Sequence, residues 1–232
     1  FKSFNFQEFR TPIVENKTLF QRSVGESSDI IQKEVYEFED RNGEILCLRP
    51  EGTAGLVRAL ITNGLMNDEI KKFFYLGPMF RYERPQKGRK RQFFQAGAEL
   101  IGEESTKSDV EIILLAKTIL EKLNVKYTLE INYLGKEDSL NSYRSYLRKY
   151  LQNFKDELSE KVYSRLQRNP IRAIDSKDSN IQEIFKKASD ISDFLKKEEK
   201  ESFERTIKSL KDLKIDFNLN RNLVRGLDYY TG

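Results

Sequence analysis

The chain has 232 residues, of which 38% are hydrophobic and 34% are charged, as in a globular protein with a sizeable core. With no histidine and one cysteine, Cys47, these residues exclude histidine-based acid–base catalysis, Ser-His-Asp triads and Cys/His zinc sites. That lone cysteine lies in the apolar run ILCL, which predicts a buried thiol in a reducing, intracellular setting. No apolar run reaches the about 18 residues of a transmembrane helix. The polar and charged first residues are not expected to form a signal peptide, and the net charge of +4 mildly favours an anionic partner.

The first quarter of the sequence predicts an extended segment, a hairpin and a helix. Residues 6–14 are expected to be extended. A hairpin is predicted over 35–49, because alternating residues flank the Asn-Gly dipeptide of a tight turn. A helix is predicted over 54–63, with Thr53 as its N-cap and Gly64 as its C-terminal cap.

The next part of the chain predicts two strands joined by a basic loop, and then a long helix. The strands are expected at 73–82 and 91–101. Ser108 and Glu111 have the spacing of a capping box, and the apolar run over 112–123 that follows them predicts a helix.

The rest of the chain is expected to be mainly helical. A strand is predicted at 127–133, followed by a helix over 136–152 that packs on the sheet. Residues 153–218 have apolar residues at helical spacing and predict an inserted helical module, after which 219–232 returns to the core. We therefore predict an α+β fold with an antiparallel sheet flanked by helices and a helical insertion. The predicted domains are the core over 1–152, the insertion over 153–218 and the returning segment.

The loop between the two long strands is strongly basic. Residues 81–91 contain six basic side chains and one acid, Glu83. Such a loop can close over an anion held on the sheet, and Gly88 lets its backbone approach closely. A solvated hairpin tip without a ligand is the alternative.

The second long strand presents two different faces, because side chains alternate along a strand. One face is apolar and predicts a core face: Phe94, Ala96, Ala98 and Leu100. The other face carries an aromatic ring, an amide and a carboxylate around a glycine that leaves room between them: Phe93, Gln95, Gly97 and Glu99. The second face is typical of a ligand floor, and an ordinary hydrated sheet face is the alternative.

Two shorter runs add candidate binding residues. In LRPEGT (48–53), Glu51 precedes a helix and can bind an ammonium group or supply negative charge to the helix N-terminus. In LVRGLDYYTG (223–232), Arg225 and the pair Tyr229-Tyr230 follow an apolar segment.

Taken together, these runs resemble class II aminoacyl-tRNA synthetases, and within them the histidyl-tRNA synthetase family. The runs that carry the resemblance are EFRTPIVE (8–15), LRPEGT (48–53), YLGPMFRYERPQKGRKRQFFQAGAELIG (75–102), RNPIRAIDSK (168–177) and LVRGLDYYTG (223–232). They are similar, in order, to the end of motif 1, a histidine-family signature, motif 2, the insertion domain and the first histidine-specific motif. The resemblance places Pro12 at a homodimer interface.

The resemblance implies which residues bind ATP. Arg81 would hold the amino-acid carboxylate and the α-phosphate, and Arg225 would lie beside the same phosphate; these two arginines would be catalytic. Arg89 would reach the terminal phosphates, Glu83 the adenine side, and Phe93 would stack under the adenine. Mg²⁺ would neutralise the leaving pyrophosphate, and no metal ligand of the protein's own is implied.

The resemblance also implies a histidine pocket. Glu51, Thr53 and Gln95 would receive the α-amino end, while Glu99 and Tyr230 would bind the two imidazole nitrogens. The implied histidine-binding set is Glu51, Thr53, Arg81, Gln95, Glu99, Tyr229 and Tyr230.

The family's activity follows as an expectation. The parent protein would join histidine to tRNA(His) in the cytoplasm or in an organelle, using ATP. Motif 3, the second histidine-specific motif and the anticodon-binding domain are absent from these residues, so this segment alone is expected to be inactive.

Two other functions remain open. A catalytically inactive relative is the regulatory subunit of ATP phosphoribosyltransferase, which would keep the histidine pocket and lose the ATP loop. The second alternative is a stress sensor that binds tRNA or RNA through the same fold. Such sensors carry a kinase-like domain, which these residues do not show.

Overall fold

The structure, a computed structural model, describes residues 1–24, 34–67, 69–84, 86–176 and 178–224. The chain divides into two compact units, Phe1–Thr118 and Ile119–Gly232. Helices and mixed sheets both occur, which confirms the predicted α+β class. Within the described ranges, no helix is both long and apolar enough to span a membrane.

The regular elements of the described residues have the following bounds. The strands are β1 (Gln7–Glu8), β2 (Val14–Asn16), β3 (Glu37–Glu39), β4 (Ile45–Leu48), β5 (Lys71–Phe80), β6 (Gln92–Ile101), β7 (Glu130–Ile131) and β8 (Asn218–Leu219). The helices are α1 (Lys17–Val24), α2 (Thr53–Thr62), α3 (Thr106–Lys122), α4 (Glu137–Gln152), α5 (Glu160–Arg168), α6 (Ser179–Phe185) and α7 (Lys197–Asp212).

The strands form three small sheets. In the first, β5 lies between β1, which runs parallel to it, and β6, which runs antiparallel. The second is antiparallel with the order β2-β4-β3, and the third is the parallel pair β7-β8. The predicted antiparallel pairing is therefore present, with parallel pairs added to it.

Strands β5 and β6 confirm the two long strands expected from the sequence, and they pair without a bulge from Lys71↔Ile101 to Phe80↔Gln92. Helix α2 covers one face of this ladder, where Leu56 and Leu60 pack against Tyr75 and Met79. The apolar face that the sequence assigned to the core is only partly covered. Its side chains Leu76 and Phe94 are 61% and 72% exposed.

That prediction was wrong at Phe94, and Leu76, opposite Ala96 in the register, is exposed on the same face. The reason is that alternation shows which side chains share a face. It does not show which face another layer covers. Elsewhere on the same face, Phe74 is buried and its ring stacks on Phe1, with the ring centroids 4.6 Å apart.

The hairpin prediction is confirmed by β3 and β4. Its turn contains Gly43 at a φ of 85°, in the left-handed region that glycine adopts without strain. The Asp40 carboxylate supports the turn by accepting hydrogen bonds from the backbone N–H groups of Asn42 and Glu44. Cys47 lies in β4 and is fully buried as expected, and burial raises the pKa of its thiol to about 11.

Both predicted N-terminal helix caps differ from the structure. Helix α2 begins at Thr53 itself, and Gly52 occupies the N-cap position. In α3, the Ser105 hydroxyl accepts from the Ser108 N–H, so the cap lies three residues before the predicted one. The Glu111 carboxylate pairs instead with Lys72 on β5, at 2.6 Å. The predicted C-terminal cap of α2 is confirmed, since the chain reverses there with a Leu65 N–H to Leu60 C=O hydrogen bond.

Within the second unit, α4 shares its core with the helices that follow it. Leu147 packs with Ile171 and Ile191, and Leu151 packs with Leu166 on α5. The domain boundary expected after residue 152 stays a prediction, but α4 and α5 bury their apolar faces together.

We expect Leu147→Ala to lower the free energy of unfolding by about 2–5 kcal/mol, because it leaves a cavity at a fully buried position. Urea denaturation followed by circular dichroism measures this loss. Leu123→Ala is the matched control, since that side chain is 66% exposed and should cost no more than about 0.5 kcal/mol. Equal losses for the two variants would contradict the assigned core.

Candidate active site

The predicted site residues of the first unit converge where the N-terminus of α2 meets β6. The Thr53 hydroxyl donates a 2.7 Å hydrogen bond to the Glu99 carboxylate and lies 3.4 Å from the Tyr75 hydroxyl. As the first residue of α2, Thr53 thus links the LRPEGT run to the face of β6 that was expected to bind a ligand.

Glu51 acts as a local cap for the same helix. Its two carboxylate oxygens accept hydrogen bonds from the backbone N–H groups of Thr53 and Ala54, at 2.7 and 2.9 Å. This is the helix-charge role that the sequence left open. Each carboxylate oxygen retains a second lone pair, so the ammonium-binding role also remains chemically available.

Glu99 is the most perturbed acid of the site. Burial raises the pKa of its carboxyl group above the usual 4.5, nearby Glu51 raises it further, and the hydrogen bond from Thr53 acts in the opposite direction. Two carboxylates in a partly desolvated pocket favour a cationic or hydrogen-bond-donating ligand, because such a ligand compensates both charges.

The gap expected at Gly97 is filled by Tyr75, which corrects the ligand-floor prediction at that position. Tyr75 is opposite Gly97 in the β5–β6 register, and its ring is buried. A Cβ atom at Gly97 would lie 2.2 Å from Tyr75 Cζ, and one at Gly52 would lie 2.3 Å from Tyr75 Cε2. Both glycines therefore leave room for the tyrosine ring.

Tyr75 is the residue of the candidate site that the sequence reasoning missed. Its position in an apolar strand made it indistinguishable from a core aromatic. The signal that could have found it is the strand register, because a large ring opposite one glycine and next to another indicates a close approach.

Arg81 lies at the end of β5, directed by a backbone acceptor and an aromatic ring. Its Nε donates to the Pro50 carbonyl oxygen at 2.9 Å, and its guanidinium lies 5.2 Å from the centre of the Phe93 ring. A guanidinium over an aromatic face is favourable and holds both planes in a defined orientation. An anion and a flat ring system could be bound side by side here.

The basic loop contributes a carboxylate placed between two arginines. Glu83 Oε1 lies 3.9 Å from Arg81 Nη1, and Glu83 Oε2 lies 3.4 Å from Arg89 Nη1. That Oε2 atom is buried and has no hydrogen-bond partner among the described residues. The Arg89 side chain is mostly exposed, as the expected reach towards an anion requires.

Gln95 offers a second unused acceptor. Its side-chain oxygen is buried and has no hydrogen-bond partner among the described parts of the chain, and it lies opposite Gly77 in the register. Buried amide oxygens are normally hydrogen-bonded, so this atom is able to accept from a water molecule or from a ligand.

The structure thus brings together eight of the predicted residues, all in the first unit: Glu51, Thr53, Arg81, Glu83, Arg89, Phe93, Gln95 and Glu99. Arg225, Tyr229 and Tyr230 lie outside the described residues, and their roles stay predictions. Across the described ranges there is no group of three or more His, Cys, Asp or Glu side chains that could hold a metal ion.

Comparison with known proteins supports the resemblance seen in the sequence. The family model described as histidyl-tRNA synthetase matches residues 1–232. A histidine–tRNA ligase of Malacoplasma penetrans is 46% identical over 99% of this chain and 55% of its own length. A chloroplastic histidine–tRNA ligase of Pyropia yezoensis is 48% identical over 97% of this chain and 53% of its own length.

A solved structure shows the same fold. The crystal structure of apo S. aureus histidyl-tRNA synthetase is 35% identical and superposes with a TM-score of 0.75, covering 99% of this chain and 52% of that one. The chain therefore spans about half the length of the curated relatives it matches.

We expect Gly97→Ala to destabilise the protein by about 1–3 kcal/mol, because its methyl group would overlap the Tyr75 ring. Chemical denaturation measures the loss. The double variant Gly97→Ala/Tyr75→Leu is the control, because the smaller side chain frees the space and should restore part of the stability. A fully stable Gly97→Ala protein would show that the ring is not wedged there.

We expect the contribution of Glu99 to stability to fall as pH rises above 4.5. The raised pKa means that the folded carboxyl keeps a proton that the unfolded chain has already released. Unfolding free energies of the wild type and Glu99→Gln, measured over a pH series, should diverge in that window, with the variant declining less. In Thr53→Val the unfolding free energy should decline more with pH than in the wild type, since this variant removes the hydrogen bond that lowers the pKa of Glu99. Parallel pH profiles for wild type and Glu99→Gln would contradict this assignment.

Proposed function

Because the chain belongs to the histidyl-tRNA synthetase family, we propose that its whole protein is a histidine–tRNA ligase. It would activate histidine with ATP to histidyl-adenylate and pyrophosphate, and then transfer histidine to the 3′ end of tRNA(His). The observation that carries the proposal is the side-by-side arrangement of an acidic pocket, Glu51 and Glu99, and an Arg81–Phe93 pair suited to a nucleotide.

The acidic pocket suits the amino acid. The carboxylate of Glu51, the hydroxyl of Thr53 and the orphan amide oxygen of Gln95 can accept from an α-ammonium group. Glu99 would accept from one imidazole nitrogen, and Tyr230, with Tyr229 beside it, would bind the other end. Paired hydrogen bonds of this kind reject analogues strongly, because an analogue leaves a buried polar group unpaired.

The arginine side suits ATP. Phe93 would stack under the adenine near Glu83, and Arg89 would meet the terminal phosphates. Arg81 would bridge the histidine carboxylate and the α-phosphate, and Arg225 would lie beside that phosphate as a second fixed cation. Mg²⁺ would enter with ATP, because it is usually bound through substrate phosphates with at most one or two carboxylates.

The chemistry needs cations and positioning more than it needs a base. A histidine carboxylate oxygen attacks the α-phosphorus, and the bond to the pyrophosphate oxygen breaks with its electron pair leaving on pyrophosphate. The attacking carboxylate is already ionised at neutral pH, so the absence of histidine side chains from the chain is no obstacle. Arg81 would lower the barrier by neutralising charge on the phosphorus oxygens. The tRNA hydroxyl then attacks the acyl carbonyl, its proton passes to a phosphate oxygen of the adenylate, and the bond between the acyl carbon and the phosphate oxygen breaks as AMP leaves.

The remaining assignments belong to the same proposal. The protein would be a class II, ATP-binding homodimer with Pro12 at its interface, acting in the cytoplasm. Residues 153–218 would form the insertion domain between two parts of the catalytic core and help to bind tRNA(His). A tRNA contact through their basic side chains would weaken as salt is added.

The regulatory-subunit alternative is weaker. That function requires histidine binding but no ATP chemistry, so its ATP loop would be free to lose its charged residues. In this chain Arg81, Glu83, Arg89 and Phe93 are all retained and lie in contact or close to one another.

ATP–pyrophosphate exchange with the full-length protein tests the proposal. Exchange should require histidine among the twenty amino acids, and Arg81→Lys should lower kcat about 10²–10³-fold, because lysine cannot bridge two anions as a fork. Arg205→Lys is the matched control, since Arg205 is exposed on α7 and has no place in the activation of histidine, the step that exchange measures without tRNA.

Histidine binding by calorimetry without any exchange would refute the ligase proposal and favour the regulatory function. Exchange with an amino acid other than histidine would refute the assigned substrate.

A further inference from the structure

Arg49 is a buried cation for which the proposed mechanism has no role. Its residue is 8% exposed, and burial lowers the pKa of its guanidinium below the usual 12.5. No carboxylate among the described residues lies within ion-pair distance of it. A buried, unpaired cation is costly, and an apolar side chain of similar size would usually be cheaper.

The hydrogen bonds of Arg49 go almost entirely to backbone carbonyls on two separate segments. Nη1 donates to the Thr11 carbonyl oxygen at 2.8 Å and to the Thr11 hydroxyl at 3.1 Å, with the Pro12 carbonyl oxygen at 3.4 Å. Nε donates to the Pro78 carbonyl oxygen of β5 at 3.0 Å. The guanidinium thereby ties the segment before β2 to the middle of the long strand.

The backbone of Arg49 makes the same two connections. Its N–H donates to the Ile13 carbonyl oxygen at 2.9 Å, and its carbonyl oxygen accepts from the Phe80 N–H at 3.0 Å. On β5, a Cβ atom at Gly77 would lie 2.5 Å from Arg49 Nη2, so the glycine leaves room for the guanidinium. Side chain and main chain together hold this residue against both neighbours.

The next peptide carries this fixed position to the candidate active site. The Pro50 carbonyl oxygen accepts the 2.9 Å hydrogen bond from Arg81 Nε. With Nε occupied, the two Nη groups of Arg81 are the ones left to bind a ligand, and Nη1 also lies 3.9 Å from Glu83 Oε1.

We infer that Arg49 is a positioning residue for Arg81: it fixes the Pro50 carbonyl, and that carbonyl aims the Arg81 guanidinium at the reacting phosphate. The inference rests on the proposed function, because it assigns Arg49 a part in the same reaction. Arg49 itself touches neither substrate. A shift of about 1 Å in a catalytic group can lower the rate about 100-fold. Preventing such a shift would explain why a buried cation is kept here despite the free-energy cost of burying its charge.

A double-mutant cycle on the full-length protein tests this. Arg49→Lys keeps the charge but replaces donors on separate nitrogens of a rigid planar group with a single flexible ammonium, so it cannot reproduce the Nε and Nη1 geometry. It should lower kcat for histidine-dependent pyrophosphate exchange about 10- to 100-fold with a smaller change in KM for histidine. In an Arg81→Lys background the same substitution should cost less than about twofold, because the group that it positions is already gone.

Arg58→Lys is the matched control. Arg58 is a partly buried arginine of α2 that pairs with Glu15, and it makes no contact with Pro50 or Arg81 in the described structure. Its effect on kcat should be the same in both backgrounds, and urea denaturation of every variant should separate lost stability from lost positioning.

Equal effects of Arg49→Lys in the two backgrounds would overturn the inference and make Arg49 a residue of the fold alone. If the wild type shows no exchange, the proposed function fails. Calorimetry should then measure the ATP affinity of the wild type, the two single variants and the double variant. Coupling between Arg49 and Arg81 in that affinity would support the positioning role, and additivity would overturn it.

Discussion

The unbroken antiparallel register of β5 and β6 is the constraint on which the candidate site depends. Each residue of one strand has a fixed partner on the other, which places Tyr75 opposite Gly97 and Gly77 opposite Gln95. A slip by one residue would turn every side chain of β6 to the other face. The same register allows the Tyr75 ring to cross the sheet and approach Thr53 at the start of α2. Strand pairing thus positions a helix terminus that lies outside the sheet.

The site built on this ladder separates two kinds of charge by a short distance. Glu51 and Glu99 form an acidic side, and Arg81 with Arg89 forms a basic side. A zwitterionic ligand joined to a polyphosphate would find complementary groups at both ends. Between the two sides lie the Phe93 ring, the Gln95 side-chain oxygen without a hydrogen-bond partner among the described residues, and Glu83. The contacts of Glu83 with Arg81 and Arg89 are long, at 3.9 and 3.4 Å, so the charges of both arginines can still act on a bound ligand.

The sequence was sufficient to predict the local elements, but it did not show how those elements pack into layers. The Asn-Gly turn and the alternation along β6 predicted a hairpin and a strand, because those signals depend only on neighbouring residues. Whether Phe94 or Phe93 faces another layer depends on where α2 packs, which no local pattern contains. Tyr75 was missed for the same reason, since its meaning comes from partners distant in sequence. The capping residues were misplaced because Ser108 follows a competing serine, Ser105, which reaches the helix end first.

In the second unit, the carboxylate of Glu199 connects the starts of two helices, α4 and α7. Glu199 of α7 is buried and accepts hydrogen bonds from the Lys136 N–H and the Ser139 hydroxyl at the start of α4, and from the Lys196 N–H at the start of its own helix. One acid therefore completes the first turns of two helices that are about sixty residues apart in sequence. A fragment that holds only one of the two helix starts would lose these hydrogen bonds, and the Lys136 N–H and the Ser139 hydroxyl would lose the carboxylate that accepts from them. Any excised or transplanted form of this helical unit must therefore carry both helix starts, whichever residues are chosen for the outer ends.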